Sequence, residues 1–347
     1  MHMADALISP AVGGTMWLAT AGLALYSAKK VTKVLDENKV PLMGVLGAFI
    51  FAAQMINFSI PGTGSSGHLG GAMILSILLG PHAAFLTIAS VLTIQALFFA
   101  DGGLLALGCN VFNLGFFPCF IAYPLIYKQI VGESPNQKRL LLGTILAAIV
   151  GLQLGAFGVV LETIYSGISD LPFTTFVLLM QPIHLAIGIV EGVVTTAVIL
   201  FIWKERPEII RKAAMSQPLG NMRIKPVLVG LLLVSLITAG GLSWFASADP
   251  DGLEWSIAKA TGQQELSEPE NDLYTILATI QKKVAFFPEY NFKAEENVAT
   301  SVANSKGGES WPAVNSGTSV AGLVGAIMTL LLAGIIGKGL RLATKNN

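Results

Sequence analysis

The stretch that decides the fold is Ala72–Phe99, AMILSILLGPHAAFLTIASVLTIQALFF. It is apolar almost throughout, and it is broken once, at Gly80-Pro81. It forms either one long helix or two shorter ones hinged at the Gly-Pro, and charge decides between them. Further apolar runs long enough to span a bilayer extend from about Ala11 to Ala28 and from Pro41 to Phe58. Others cover Leu104–Tyr127, Leu140–Ile164, Phe173–Trp203, Val227–Phe245 and Val320–Ile336. Lys and Arg mark the cytoplasmic side of a membrane protein. Lys29, Lys30, Lys33 and Lys39 follow the first run, and no Lys or Arg precedes it. The N-terminus therefore faces outward, as does the loop Ser59–Gly71. The basic groups Lys128/Lys138/Arg139, Lys204 to Lys225 and Lys338/Arg341/Lys345 join the inner side only if the chain crosses twice within Ala72–Phe99. The hairpin reading follows, with nine crossings, the N-terminus outside and the C-terminus cytoplasmic.

Composition agrees with this class. Hydrophobic residues make up 53% and charged residues 12%, about half the charge of a soluble domain. The expected fold is an all-α polytopic membrane protein, in contact with membrane lipid. A net charge of zero gives no support for nucleic-acid binding. Cys109 and Cys119 lack CxxC spacing and share one apolar run, which argues against a disulfide or a thiolate metal site. The polar interruption is 246–316, placed outside by the alternation of crossings. Its amphipathic stretch Asp272–Val284 reads as its one helix, and Asn304–Gly308 reads as loop. The chain thus divides into a seven-helix body, residues 1–212, and a two-helix unit, residues 213–347, flanking the external insert.

The outer loop contains Gly62-Thr63-Gly64-Ser65-Ser66-Gly67-His68-Leu69, which fits both G-x-G-x-x-G and the first six positions of a P-loop. Both matches fail on context. The P-loop needs Lys and Ser/Thr where His68 and Leu69 stand, and the dinucleotide fingerprint needs a preceding strand in a βαβ unit. The glycines instead let the backbone approach a small ligand, or let helices pack closely.

His68 shares its outer face with His2, in the opening stretch Met1-His2-Met3-Ala4-Asp5. A bulky second residue protects the initiator Met, so Met1 supplies a free amine. That amine, the His2 amide nitrogen and His2 Nδ1 close a five- and a six-membered ring around one ion. His68 is the obvious fourth donor. Such a planar nitrogen set favours Ni2+ or Cu2+, with Co2+ next, and uptake weakens in acid because the donors must lose protons. His82 falls near the inner hinge and reads as structural. His184 and Glu191, seven residues apart, share a helix face within a span. They suit either helix pairing or contact with a substrate.

These residues resemble the CbiM/NikM substrate-capture components of energy-coupling-factor cobalt and nickel transporters. The resemblance rests on Met1, His2 and Asp5, on MINFSIPGTGSSGHLGGAMILSILLGPHAAF (Met55–Phe85) and on QALFFADGGLLALGCNVFNLG (Gln95–Gly115). It covers residues 1 to about 205. It implies a seven-helix protein that captures Co2+ or Ni2+ as transported substrate outside the cell. It also implies two partners, a transmembrane coupling protein and a pair of cytoplasmic ATPases. The implied ligands are the Met1 amine, the His2 amide and imidazole, and His68. Asp5 belongs to the terminal pattern, and Asn57, Asn110 and Asn113 match polar family positions that would brace the site. Asp249-Pro-Asp-Gly-Leu-Glu-Trp-Ser256 resembles the CbiN/NikN or PDGLE companion, whose two helices around an external loop match 226–337. The chain is therefore identified as a fusion of capture protein and companion. It contains no complete ATP-binding motif, so it is not itself the ATPase. The rivals are a vitamin-capture component of the same transporter class and a membrane metallopeptidase. The latter needs an H-E-x-x-H helix, which four histidines at these positions do not supply.

Overall fold

The computed structural model describes residues 2–32, 35–132, 135–263, 266–267, 269–293 and 311–345. Each apolar run becomes a helix, because away from water its backbone amides find partners only within the run. The body contains α1 (Pro10–Val31), α2 (Lys39–Gln54), α3 (Ala72–Leu79) and α4 (Pro81–Phe98). It continues with α5 (Leu107–Val131), α6 (Gln137–Ser166) and α7 (Phe173–Glu205). A short α8 (Pro207–Ala214) lies in the basic linker. The rest of the chain forms α9 (Lys225–Gly240), α10 (Gly252–Thr261), α11 (Asp272–Val284) and α12 (Ser316–Lys345). Helices α4 to α7 and α12 are long and apolar enough to cross a membrane, and α2 and α9 are shorter apolar helices. The protein is an all-α, multi-pass membrane protein.

The deciding stretch forms two helices that break at Gly80. Pro81 opens α4 at a position where its missing N–H costs nothing. The first arm has eight residues, about 12 Å at 1.5 Å per residue, against a hydrocarbon core of about 30 Å. Before this arm, Phe58–Ile60 (β1) and Ser65–Gly67 (β2) pair antiparallel, with Phe58 opposite Gly67. The glycine-rich loop is thus a hairpin whose second strand, Ser65–Gly67, is buried and whose turn is largely exposed. Hydropathy misses it because each strand is three residues long and rich in Ser and Gly.

Helices α9 and α12 lie against α2, which joins the two-helix unit to the body. The insert differs from its one-helix expectation. The expected helix is present as α11, but α10 precedes it. The Asp251 carboxylate accepts the N–H groups of Leu253 and Glu254, and Glu254 returns a bond to the Asp251 N–H. That reciprocal cap starts a helix too short and mixed to show in periodicity. The stretch Asn304–Gly308, read as loop, lies outside the described residues.

Candidate functional site

The N-terminal segment reaches the site through backbone bonding. Met3 is fully buried; its N–H donates to Asn110 Oδ1 (2.8 Å), and its carbonyl accepts from Asn110 Nδ2 (3.2 Å) and from the Gly103 N–H (2.9 Å). Asp5 accepts the Ala106 N–H at 2.9 Å. Burial raises the Asp5 pKa, and the N–H groups of residues 104–106 moderate the rise. The loop that holds this segment is Ala100-Asp-Gly-Gly103. Gly102 has φ +83°, and a Cβ on Gly103 would fall 1.8 Å from Asp5 Oδ1. Only glycine there lets the terminus lie down.

The His2 side chain is 8% exposed and places Nδ1 at 3.0 Å from Asp101 Oδ1. Its ring stacks on that of His68, with centroids 4.9 Å apart and planes 4° apart. The Tyr290 hydroxyl donates to the other Asp101 oxygen. Burial works against the Asp101 charge, but His2 and the bonds from His2 and Tyr290 hold its pKa well below the usual carboxylate range. His68 Nδ1 lies 3.1 Å from the Leu69 carbonyl. Donation from Nδ1 to that oxygen leaves Nε2 with the lone pair. Burial pushes the His68 pKa down to about 3, so the ring is neutral and able to ligate. His2 Nε2 is buried without a hydrogen-bond partner among the described residues. Among the described residues no three His, Cys, Asp or Glu side chains stand close enough to enclose an ion by themselves. An ion held here therefore needs main-chain or terminal donors as well.

Met1 lies outside the described residues. Of the other sequence candidates, His2, His68, Asp5 and Asn110 meet around the terminal segment, and two do not join them. The Asn57 carbonyl accepts the Ser247 N–H (2.7 Å), facing the companion unit. Asn113 Nδ2 donates to Glu162 Oε2 at 2.6 Å, inside the helix bundle. Glu191 has a task that periodicity does not reveal. Its carboxylate accepts the N–H groups of Gly70 (2.8 Å) and Gly71 (3.1 Å), directly after His68. Gln54 Nε2 donates to the Gly70 carbonyl at 2.9 Å. His82 Nδ1 is 3.5 Å from Ser27 Oγ, near the opposite end of the bundle.

The remaining contributors come from the companion unit. The Ser66 N–H donates to the Pro250 carbonyl (2.8 Å), Trp255 Nε1 to the Thr63 carbonyl (3.0 Å) and Gln281 Nε2 to the Gly102 carbonyl (2.7 Å). The Tyr274 hydroxyl donates to the Ile8 carbonyl at 2.8 Å. Between the two units lies a cavity of about 370 Å3, walled by His2, Asp5, Asp101, Asp251, Glu254 and Glu289. Burial opposes the Asp251 charge, yet the Glu254 N–H that it accepts helps hold its pKa below the ordinary value; burial and Asp251 raise that of Glu254. A cleft walled by carboxylates raises the local concentration of cations. Sequence reasoning named Asp5 and the motif that carries Asp251 and Glu254 but missed Asp101, although one signal pointed to it: Asp101 is the only Asp or Glu between Glu37 and Glu133. The companion contacts were not visible, because they join residues far apart in the chain.

Comparison with known proteins gives the lineage. Residues 2–209 match the CbiM family, described as the cobalt uptake substrate-specific transmembrane region, and residues 225–342 match the PDGLE domain. A putative fused nickel transport protein NikMN of Archaeoglobus fulgidus is 30% identical over 96% of each chain. A cobalt transport protein CbiM of Geobacter sulfurreducens is 26% identical over 79% of this chain and 81% of its own. The crystal structure of a truncated transition metal transporter matches with a TM-score of 0.53 and 32% identity, over 59% of this chain and 99% of that one. The chain belongs to the CbiM family, with a PDGLE domain fused behind the CbiM region.

Proposed function

We propose that this protein is the substrate-capture component of a nickel or cobalt uptake transporter, and that it takes the ion from outside the cell at its N-terminus. The ligands in this reading are the Met1 amine, the His2 amide and imidazole, and His68. The observation that carries it is the stacked, half-buried His2–His68 pair, whose His2 ring forms part of the wall of a carboxylate-lined cavity. Nickel is the preferred ion. Planar nitrogen donors favour it over cobalt, and the Archaeoglobus relative that shares both units is named for nickel. The body is residues 1–212 and the companion residues 213–347, with the N-terminus outside and the C-terminus cytoplasmic. A transmembrane coupling protein and a pair of cytoplasmic ATPases supply the energy, and inward release follows their movement of the membrane body.

Chelation by His2 through Nδ1 has to displace Asp101, which now occupies that nitrogen. A second arrangement is favoured by the same contact: Asp101 orients the ring and Nε2 ligates, as in carboxylate–histidine–metal triads. One residue added before Met1 separates them. Calorimetry on the full chain should show Ni2+ binding lost if amine, amide and Nδ1 form the chelate. Affinity within about threefold of the native chain would sink the chelate and leave the Nε2 arrangement. Absence of tight Ni2+ and Co2+ binding by the native chain would sink the capture reading itself.

A further inference from the structure

We propose a second metal position at His184, in the small cavity that it shares with His68. It rests on the capture reading and extends it to the ion's next contact. His184 lies on α7 at 1% exposure, and its Nδ1 is 2.8 Å from the Met180 carbonyl. Donation to that oxygen leaves the lone pair on Nε2. Nε2 is buried and has no hydrogen-bond partner among the described residues. Buried polar atoms are nearly always paired, so an orphaned imidazole nitrogen calls for a ligand.

His184 borders a cavity of about 10 Å3 that is also walled by His68 and Asp251, enough for one water or one bare ion. Two imidazoles thus reach one small space, each with its Nδ1 beside a main-chain carbonyl, the arrangement that orients histidines for metals. Asp251 adds a carboxylate. Leu114, Leu152 and Ile187 make the rest of the wall dry. Imidazole donors select a first-row transition ion such as Ni2+ or Co2+ over Mg2+ or Ca2+.

The companion unit closes this space. A Cβ on Gly252 would fall 2.6 Å from Ile183 Cγ2 and 3.2 Å from His184 Cε1, so only glycine lets the start of α10 seat against α7. As they stand the side chains do not enclose an ion. The donors draw together on arrival and hold weakly, as a transit position must if the ion is to leave. The ion keeps His68 and exchanges its terminal nitrogens for His184 Nε2.

The chain has four histidines, which makes a clean test. In a full-length His2→Ala/His82→Ala protein, only the two histidines of this cavity remain. His2 precedes every long helix and His82 is half-buried at the start of α4, so the bundle keeps its packing. Pulsed electron paramagnetic resonance of substoichiometric Cu2+ should show two coordinated imidazoles, and Ni2+ should bind at least about tenfold more weakly than to the native chain. One imidazole, or none, overturns the second position. The two positions share His68 and are occupied in turn, so in the otherwise native chain His184→Gln should leave tight Ni2+ binding within about twofold, and in the His2→Ala/His82→Ala background it should abolish the weaker Ni2+ binding. Weak Ni2+ binding that survives His184→Gln unchanged in that background overturns the proposal. Failure of the capture reading would instead appear as loss of tight Ni2+ binding by the native chain.

Discussion

Gly103→Ala tests whether the docked terminus makes the site. The new Cβ would lie 1.8 Å from Asp5 Oδ1 and 2.4 Å from the Asp5 backbone nitrogen. A carboxylate can rotate away, but the backbone nitrogen cannot, so the segment from His2 to Ile8 has to lift. Lifting breaks both bonds between Met3 and Asn110 and the bond from the Gly103 N–H to the Met3 carbonyl. Three such bonds at about 1 kcal/mol each give about 3 kcal/mol, or about 100-fold in the population of the docked form. Apparent affinity falls with the fraction that is competent to bind. The Kd for Ni2+ should therefore rise about 10- to 100-fold. Gly14→Ala on α1, where a Cβ meets nothing within 4 Å, should be silent. Calorimetry on the detergent-solubilised full chain reads both variants, and circular dichroism checks that helicity is kept. Gly103→Ala binding within twofold of the Gly14→Ala control would refute the role of the docked terminus.

Other perturbations bear on the same site. Asn110→Ala removes both of its bonds to Met3 and should weaken Ni2+ about tenfold or more; unchanged affinity would mean Asn110 does not brace the terminus. Glu191→Gln leaves one good acceptor for two N–H groups and should cost about 1–3 kcal/mol. It should appear as weaker Ni2+ binding, and a fully native affinity would show that the loop after His68 is held by other contacts. Tyr290→Phe leaves Asp101 one hydrogen bond short, a loss of about 1.5–3 kcal/mol for a charged acceptor, read as a lower melting temperature. The His68 pKa is depressed from its ordinary 6.5 to about 3, so between those values the unfolded form binds the proton and the folded form does not. Its contribution to stability is complete above pH 6.5 and is lost as pH falls toward 3, by about 2 kcal/mol at pH 5. Melting curves of the apo protein from pH 7 to 5 should show that slope, and His68→Gln should flatten it. A slope identical in both proteins counts against a buried neutral His68.

Hydropathy, breakers and Lys/Arg placement made the helix order legible, because crossing a membrane leaves the backbone few options. The Gly80-Pro81 break could be read for the same reason. The hairpin Phe58–Gly67 could not, since its strands are too short to carry a period and the burial of its second strand comes from helices elsewhere in the chain. At the site, the special status of residue 2 and the reach of His68 were visible as positions in the chain. The partner of His2, Asp101, was missed; its one signal is that it is the sole acid of a long stretch. Glu191 showed as a buried charge, but its task depends on two main-chain N–H groups that no pattern of side chains encodes. Asn57 and Asn113 look alike in sequence to Asn110, and only packing separates the one that holds Met3 from the two that hold other elements.

The companion unit belongs to the site by the same reasoning. Its contacts with the loops around His2 and His68 combine an aromatic cluster, Phe286, Phe287 and Tyr290 against Phe98 and Phe99, with polar bonds: Pro250 to Ser66, Trp255 to Thr63, Gln281 to Gly102 and Tyr274 to Ile8. Each such bond contributes only about 1 kcal/mol net, so no single one clamps the insert. Such bonds fix register instead, because a shift of one residue would break several at once. That register sets Asp251 beside His68, Gly252 against His184 and Tyr290 on Asp101. Anchoring strength comes from the aromatic cluster and from α9 and α12 packed on α2. An insert held by many separate contacts of this size should keep its register when any one of them is removed.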